Sequence, residues 1–470
     1  MTRLFLATVF LFLIAACSSN PEKDKNNKQL IDSAKVSETF EVGKIIDSVH
    51  CNINPSYSFA LYLPTSYSKE KTYPVVFVLD PHADGRLPLF NYTDLAEKNN
   101  YILVGSNNSE NGKSWEEANQ IVSTLMADVK NRFSINTSRI YLMGFSGGAR
   151  IANAVTMTDG QIEGVICCGA VSPAINIPNS RNNYSLVCIA GTADFNYTEI
   201  CKYDRVEGQK TKHTLIKFDG IHEWPPITSM EDTFWFLELN EMRKTPSYKK
   251  DTVIQEIITK ETNNLKDLLS KNKTIEAFEK CRKVIAYYNG LHELKEFYTT
   301  YESFKTNKEI DTKLRVEEAF WKLEDSEKQK YIEAFQKNDL NWWKINITDL
   351  NKKIKTGKKT EEVNMQKRLL SFLSLASYMQ TAGALKEKNT MAADYFSTIY
   401  ILVDPTNKDA HYLKAEVNAL TGKKKEAIQS LNESVKNDFN DLKRLESDSL
   451  LNPIKNTKEY QLIIDKLNGH

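Results

Sequence analysis

In the first half of the chain, short runs that are apolar at every position alternate with stretches whose apolar residues recur every three or four positions. YPVVFVLD (73–80), YILVGS (101–106), RIYLMG (139–144), GVICCGA (164–170) and YSLVCIAGT (184–192) are of the first kind, and HTLIKFDG (213–220) ends the series. Strands covered on both faces read this way. The stretch around FNYTDLAEKN, then WEEANQIVSTLMADVKNRF (115–133) with Ile121, Leu125 and Val129 at helical spacing, and PPITSMEDTFWFLELNEM read as helices. Their alternation predicts an α/β fold, a mostly parallel sheet with helices on both faces. Ahead of it, KIIDSVHCNI and YSFALYLP alternate apolar with polar positions and predict an antiparallel hairpin at the edge of the sheet.

Glycine and proline mark where this pattern stops. Residues 1–246 hold 13 of the 18 glycines and 11 of the 13 prolines. Beyond KTPSYKKD, near Pro246, the pattern is helical with few strand signals. This divides the chain into an α/β domain over 40–245 and an all-α domain over 250–470. Within the latter, residues 391–439 resemble the tetratricopeptide repeat: Ala393 and Pro405 match the end of one repeat, and His411, Ala415, Gly422 and Ala427 match the next. His411 stands where that family prefers Trp or Tyr, and Phe439 where it prefers Pro. KTIEAFEKCRKVI (273–285) is a weaker copy. Repeats of this type present a groove to a protein partner.

The N-terminus differs from the rest. Arg3 precedes an apolar run from Leu4 to Ala16, broken only by Thr8, which reads as a signal peptide over 1–16. Its end, Ile14-Ala15-Ala16-Cys17, resembles the lipobox of bacterial lipoproteins. The resemblance implies acylation of Cys17, a polar tether over 17–39 and a lipid-anchored place in the cell envelope. Six further cysteines form no C-x-x-C pair. Cys167 and Cys168, adjacent in a strand, are expected to point to opposite faces as core residues. A Cys188–Cys201 bridge is open in an exported chain. A net charge of +1 gives no reason to expect nucleic acid as a partner.

Candidate chemistry centres on YLMGFSGGAR (141–150). Gly144 and Gly148 flank Ser146 in the pattern G-x-S-x-G, directly after a buried strand and directly before a helical stretch. That strand–turn–helix setting exposes a strained serine, with glycines where strand and helix cross, and Gly147 offers a backbone N–H at the helix start. A nucleophilic serine needs a base and an orienting acid. Asp194, in GTADFNY, and His222, in GIHEW, follow in the order Ser…Asp…His, each after a predicted strand. Asp219 is a reserve acid.

On YSFALYLPTSY, YPVVFVLDPHADG, RIYLMGFSGGARIA, GTADFNY and GIHEWP, residues 40–243 resemble an α/β-hydrolase. The nearest groups are the secreted polyhydroxybutyrate depolymerase-like, feruloyl esterase-like and dienelactone hydrolase-like esterases. The resemblance implies Ser146 as nucleophile, His222 as base then acid, and Asp194 as its orienter. It also places a second oxyanion donor in DPHADG (80–85). Where family members carry His-Gly, this chain has His82-Ala83, which makes the Ala83 N–H the candidate. The His82 ring either packs the loop or faces substrate. Trp224 is either a pocket wall or a core residue.

The expected activity is hydrolysis of carboxylic esters through an acyl-enzyme, with no cofactor or metal. The short connection between GVICCGA and the acid loop leaves no room for a cap domain and predicts an open site suited to a bulky or polymeric ester such as acylated polysaccharide. Two rival readings stay open: a serine peptidase of the prolyl-oligopeptidase type, and a tethered scaffold whose repeats bind a partner beside an idle hydrolase domain.

Overall fold

The apolar runs assemble into one eight-stranded sheet: β1 Ile45–His50, β2 Ser58–Tyr62, β3 Tyr73–Leu79, β4 Ile102–Ser106, β5 Ile135–Phe145, β6 Gly164–Cys168, β7 Ser185–Gly191 and β8 Lys212–Phe218, in the order β1-β2-β4-β3-β5-β6-β7-β8. The computed structural model describes residues 39–172, 181, 183–206 and 211–468. The signal peptide, the tether and Cys17 lie outside the described residues. β1 pairs antiparallel with β2, and β2 antiparallel with β4. From β4 onward every pairing is parallel. The strands that read as wholly apolar are buried at every position of the sheet interior, whereas β8 at the far edge mixes buried and exposed positions.

Helices cover both faces: α1 Arg86–Asn99, α2 Trp115–Arg132, α3 Gly147–Thr158, α4 Tyr197–Val206 and α5 Ile227–Lys244. Alternate strand residues face opposite cores. Val76, Val78, Met143 and Cys168 pack with α1 and α5, while Val75, Phe77, Leu142 and Cys167 pack with α2, α3 and α4. The two adjacent cysteines thus divide between faces, as strand geometry requires. α2 starts where Ser114 and Glu117 form a reciprocal capping box. This is the α/β-hydrolase architecture. All six described cysteines are free and buried, so Cys188 on β7 and Cys201 on α4 are not bridged.

After the turn at Pro246–Tyr248 the chain is helical: α6 Asp251–Ser270, α7 Thr274–Tyr288, α8 Lys295–Phe304, α9 Lys308–Lys337, α10 Leu340–Thr356, α11 Thr360–Lys386, α12 Thr390–Val403, α13 Lys408–Leu420 and α14 Lys424–Lys436. Three short helices follow: α15 Leu442–Ser447, α16 Asn452–Lys455 and α17 Lys458–Asn468. The apolar faces of α6, α7 and α8 join the core beneath α5. Trp321 of α9 joins the core on the opposite face of the sheet. Ala393, Ala415 and Ala427 are fully buried where α12, α13 and α14 meet their neighbours. Among the described residues no helix is long and apolar enough to cross a membrane.

Candidate active site

β5 runs into the sheet centre, ends at Phe145, and α3 begins at Gly147. Ser146 is the single residue between them, at φ 52° and ψ −119°, a conformation that L side chains adopt only under constraint. Its N–H is held by the carbonyl of Cys168 at 2.9 Å. The sharp turn brings strand and helix together: a Cβ on Gly144 would collide with the backbone of Gly148, and one on Gly148 with the carbonyl of Leu79. The two glycines are therefore a steric requirement of the elbow.

The three triad candidates meet. Ser146 Oγ lies 2.9 Å from His222 Nε2, and His222 Nδ1 lies 2.9 Å from Asp194 Oδ2. With the ring proton assigned to Nδ1, the imidazole donates to Asp194 and accepts from the serine hydroxyl. Asp194 is fully buried. Its other oxygen, Oδ1, accepts from the Asn196 N–H at 2.7 Å, and Asn196 Nδ2 reaches the Gly169 carbonyl at 2.9 Å. His222 lies between two rings, Phe145 with centroids 4.6 Å apart and Phe195 at 4.2 Å. The reserve acid, Asp219, does not reach it. Asp219 is exposed and accepts from Thr192 Oγ1 at 3.4 Å.

The loop after β3 corrects one expectation. Ala83 sits at φ 61°, and its N–H donates to the Asp80 carbonyl at 3.2 Å. The left-handed residue closes a turn, so the N–H faces that turn instead of standing free for an oxyanion. Gly147 differs: its N–H opens α3, where the helix itself supplies no acceptor, and the first turn carries no acidic side chain.

Buried Asp80 organises this loop. Its Oδ1 accepts from the His82 N–H at 2.8 Å and its Oδ2 from Trp224 Nε1 at 3.0 Å. Burial pushes the Asp80 carboxyl up, but the hydrogen bonds from His82 and Trp224 outweigh it and hold the pKa below the ordinary value. That carboxylate, 3.7 Å from His82 Nδ1, in turn raises the His82 imidazole. The His82 side chain is 82% exposed, so it points outward and does not pack the loop. Trp224 lies between Tyr92 and Phe145, with ring centroids at 6.1 and 5.4 Å. It is a strut joining the β3 loop to the histidine loop, with an edge left partly open.

Four neighbours escape a reading of motifs. Phe195 and Asn196 flank Asp194 in sequence and gave no signal beyond that. Gly169, at φ 67°, ends the apolar run GVICCGA. A Cβ there would lie 2.8 Å from Phe145 Cε2, 3.1 Å from His222 Cε1 and 3.2 Å from Asp194 Oδ2. Asn111 donates its N–H to the Pro81 carbonyl at 2.9 Å and sets its carboxamide against Gly147.

The helical region reaches this site from outside the α/β domain. α9 and α11 stand against the acid loop, through Lys328 to the Phe195 carbonyl and Arg368 to the Thr192 carbonyl. The helical region therefore meets the acid loop directly. Among the described residues, no group of three His, Cys, Asp or Glu side chains is placed to hold a metal ion.

No family model matches the chain, and no curated protein does. Solved structures do. Esterase PE8 shares 13% identity at a TM-score of 0.33, covering 39% of this chain and 98% of that one. A ferulic acid esterase from Anaeromyces mucronatus shares 17% at 0.30, covering 42% and 92%. Dipeptidyl peptidase 4 of Porphyromonas gingivalis shares 12% at 0.31, covering 41% and 35%.

Proposed function

We propose that the protein is a serine hydrolase of carboxylic esters. The observation that supports this reading is the continuous relay from Ser146 Oγ through His222 to buried Asp194, both links at 2.9 Å, with the serine on a strained elbow. His222 takes the hydroxyl proton as Oγ attacks the ester carbonyl. Asp194 stabilises the imidazolium that forms. The oxyanion develops against the Gly147 N–H at the positive end of α3. His222 then protonates the leaving alcohol, and a water that it deprotonates releases the acid. These steps use only the chain's own groups.

Three finer statements complete the proposal. The substrate is a bulky ester, such as acylated polysaccharide, lying against the elbow. Cys17 carries a lipid that tethers the enzyme to the cell envelope. The tetratricopeptide-like helices α12 to α14 recruit a protein partner. The decisive experiment is fluorophosphonate labelling of residues 37–470 beside Ser146→Ala, with turnover of a p-nitrophenyl ester in parallel. Labelling and turnover that both vanish with the alanine are the expected result. A folded wild type that neither labels nor turns over would sink the reading. Acetylated and feruloylated xylan left intact by an enzyme active on short esters would remove the polymeric substrate alone.

A further inference from the structure

We propose that the helical region is a working part of the catalytic centre: Glu324, Lys328 and Arg368 form a largely buried clamp that positions Asp194 and Phe195, and through them His222. The proposal rests on the serine hydrolase reading of the triad.

The acid loop, Thr192 to Phe195, is fixed toward the sheet by its own N–H groups. Thr192 donates to the Phe218 carbonyl, Ala193 to that of Gly220 and Asp194 to that of Gly191, at 2.9 to 3.0 Å. The carbonyls at its two ends point the other way, into the helical region. Thr192 O accepts from Arg368 Nη1 at 2.8 Å, and Phe195 O accepts from Lys328 Nζ at 2.9 Å. Asp194 lies between these two anchored peptides, and Phe195 carries the ring that lies on His222.

One carboxylate joins the two cations. Glu324 Oε2 accepts from Arg368 Nε at 2.8 Å, and Glu324 Oε1 lies 2.8 Å from Lys328 Nζ one helical turn along α9. The side chains of Glu324 and Arg368 have no solvent exposure. Arg368 Nη2 also donates to Glu361 Oε1 at 3.0 Å, and its guanidinium lies over the Tyr197 ring at 4.8 Å. Burying such charges is costly, and an apolar contact would join the two regions at least as firmly. What ions add is direction: a guanidinium fork and an ammonium fix where two carbonyl oxygens point. A triad acid must be held to within a fraction of an ångström, which is what a directional clamp supplies and an apolar interface does not.

Lys328→Met and Glu324→Gln, made in the full chain, test the clamp. Misplacing the acid loop is expected to lower kcat by about 10- to 100-fold, with KM for a small ester nearly unchanged. A loosened Asp194 stabilises the imidazolium less, so the acidic limb of kcat/KM moves to lower pH. The downfield proton resonance of His222 Nδ1–H is expected to shift or broaden. Lys202→Met breaks the exposed Lys202–Asp325 pair between the same two regions without touching the loop, and its rate, pH limb and resonance are expected to match wild type. Folded Lys328→Met with wild-type kcat, pH limb and resonance overturns the clamp, whether or not Glu324→Gln folds. If the wild type cleaves no ester, the hydrolase reading fails separately, and the resonance in wild type and Lys328→Met still decides whether the helical region positions His222.

Discussion

The backbone N–H of Ser146 donates to the carbonyl of Cys168 at 2.9 Å, just beyond the point where Phe145 pairs with Cys168 in the sheet. The bond, with the start of α3, pins the serine at positive φ. Strain of this kind stores roughly 1–3 kcal/mol, while the hydroxyl's bond to His222 returns about 1 kcal/mol. Ser146→Gly removes both the side chain and the conformational penalty. The expected outcome is a Tm equal to or above wild type with no fluorophosphonate labelling. A clear fall in Tm would mean that the elbow is not strained.

The glycines of the elbow separate by what surrounds them. Gly144→Ala and Gly148→Ala each press a methyl into backbone, of Gly148 and of Leu79, which has nowhere to move within the sheet. Overpacking of this sort costs about 1–3 kcal/mol or more, and it displaces Ser146 as well. Gly160→Ala meets nothing within 4 Å and is expected to be neutral or slightly stabilising. Thermal unfolding of the three variants, with labelling of each, checks the order. Equal stability of all three would contradict the crossing described here.

Most of this architecture was legible because its causes are local. Wholly apolar runs such as VVFVL cannot face water on either side, so they predict interior strands. G-x-S-x-G after such a run predicts the elbow, and the order Ser146, Asp194, His222 predicts the relay. What escaped notice depends on distant chain. Gly169 is required by three side chains from three other segments. Ala83 carries a free N–H or a turn bond depending on its φ, which its identity does not set. The Lys/Glu runs of the helical region read as solvated helix faces, and only the packing of α9 and α11 on the acid loop shows that Arg368 is buried and Lys328 mostly covered. The contacts that α9 and α11 make with the acid loop were not legible for the same reason, because they come from another part of the chain.

The roles of the two candidate acids separate cleanly. Asp194 is buried and bonded to His222, whereas Asp219 is exposed and bonded to Thr192. Asp194→Asn keeps the shape but favours the wrong ring tautomer, and a loss of kcat on the order of 10⁴-fold is expected, as in other triads. Asp219→Asn is expected to stay within about threefold of wild type, since exposed polar contacts contribute little. Steady-state turnover of one p-nitrophenyl ester settles both. A larger loss at Asp219 than at Asp194 would reassign the acid.

Glu416 of α13 gives the helical region its own pH dependence. Burial, and then the hydrogen bond and charge of Asp448, push its carboxyl up to about 9. Asp448 also accepts the Tyr412 hydroxyl at 2.9 Å and the Leu450 N–H at 2.7 Å. The folded state keeps the Glu416 proton at pH values where the unfolded chain, titrating near 4.5, has lost it. This group's contribution to stability is therefore fully present below about pH 4.5 and declines as pH rises toward 9. Glutamine mimics the protonated carboxyl and cannot ionise. Glu416→Gln is expected to raise Tm by several degrees at pH 8 and to leave it unchanged at pH 4.5, as followed by thermal unfolding at both values. A variant less stable than wild type at pH 8 would show that Glu416 is ionised in the fold and that its charge, not its proton, is what α13 requires.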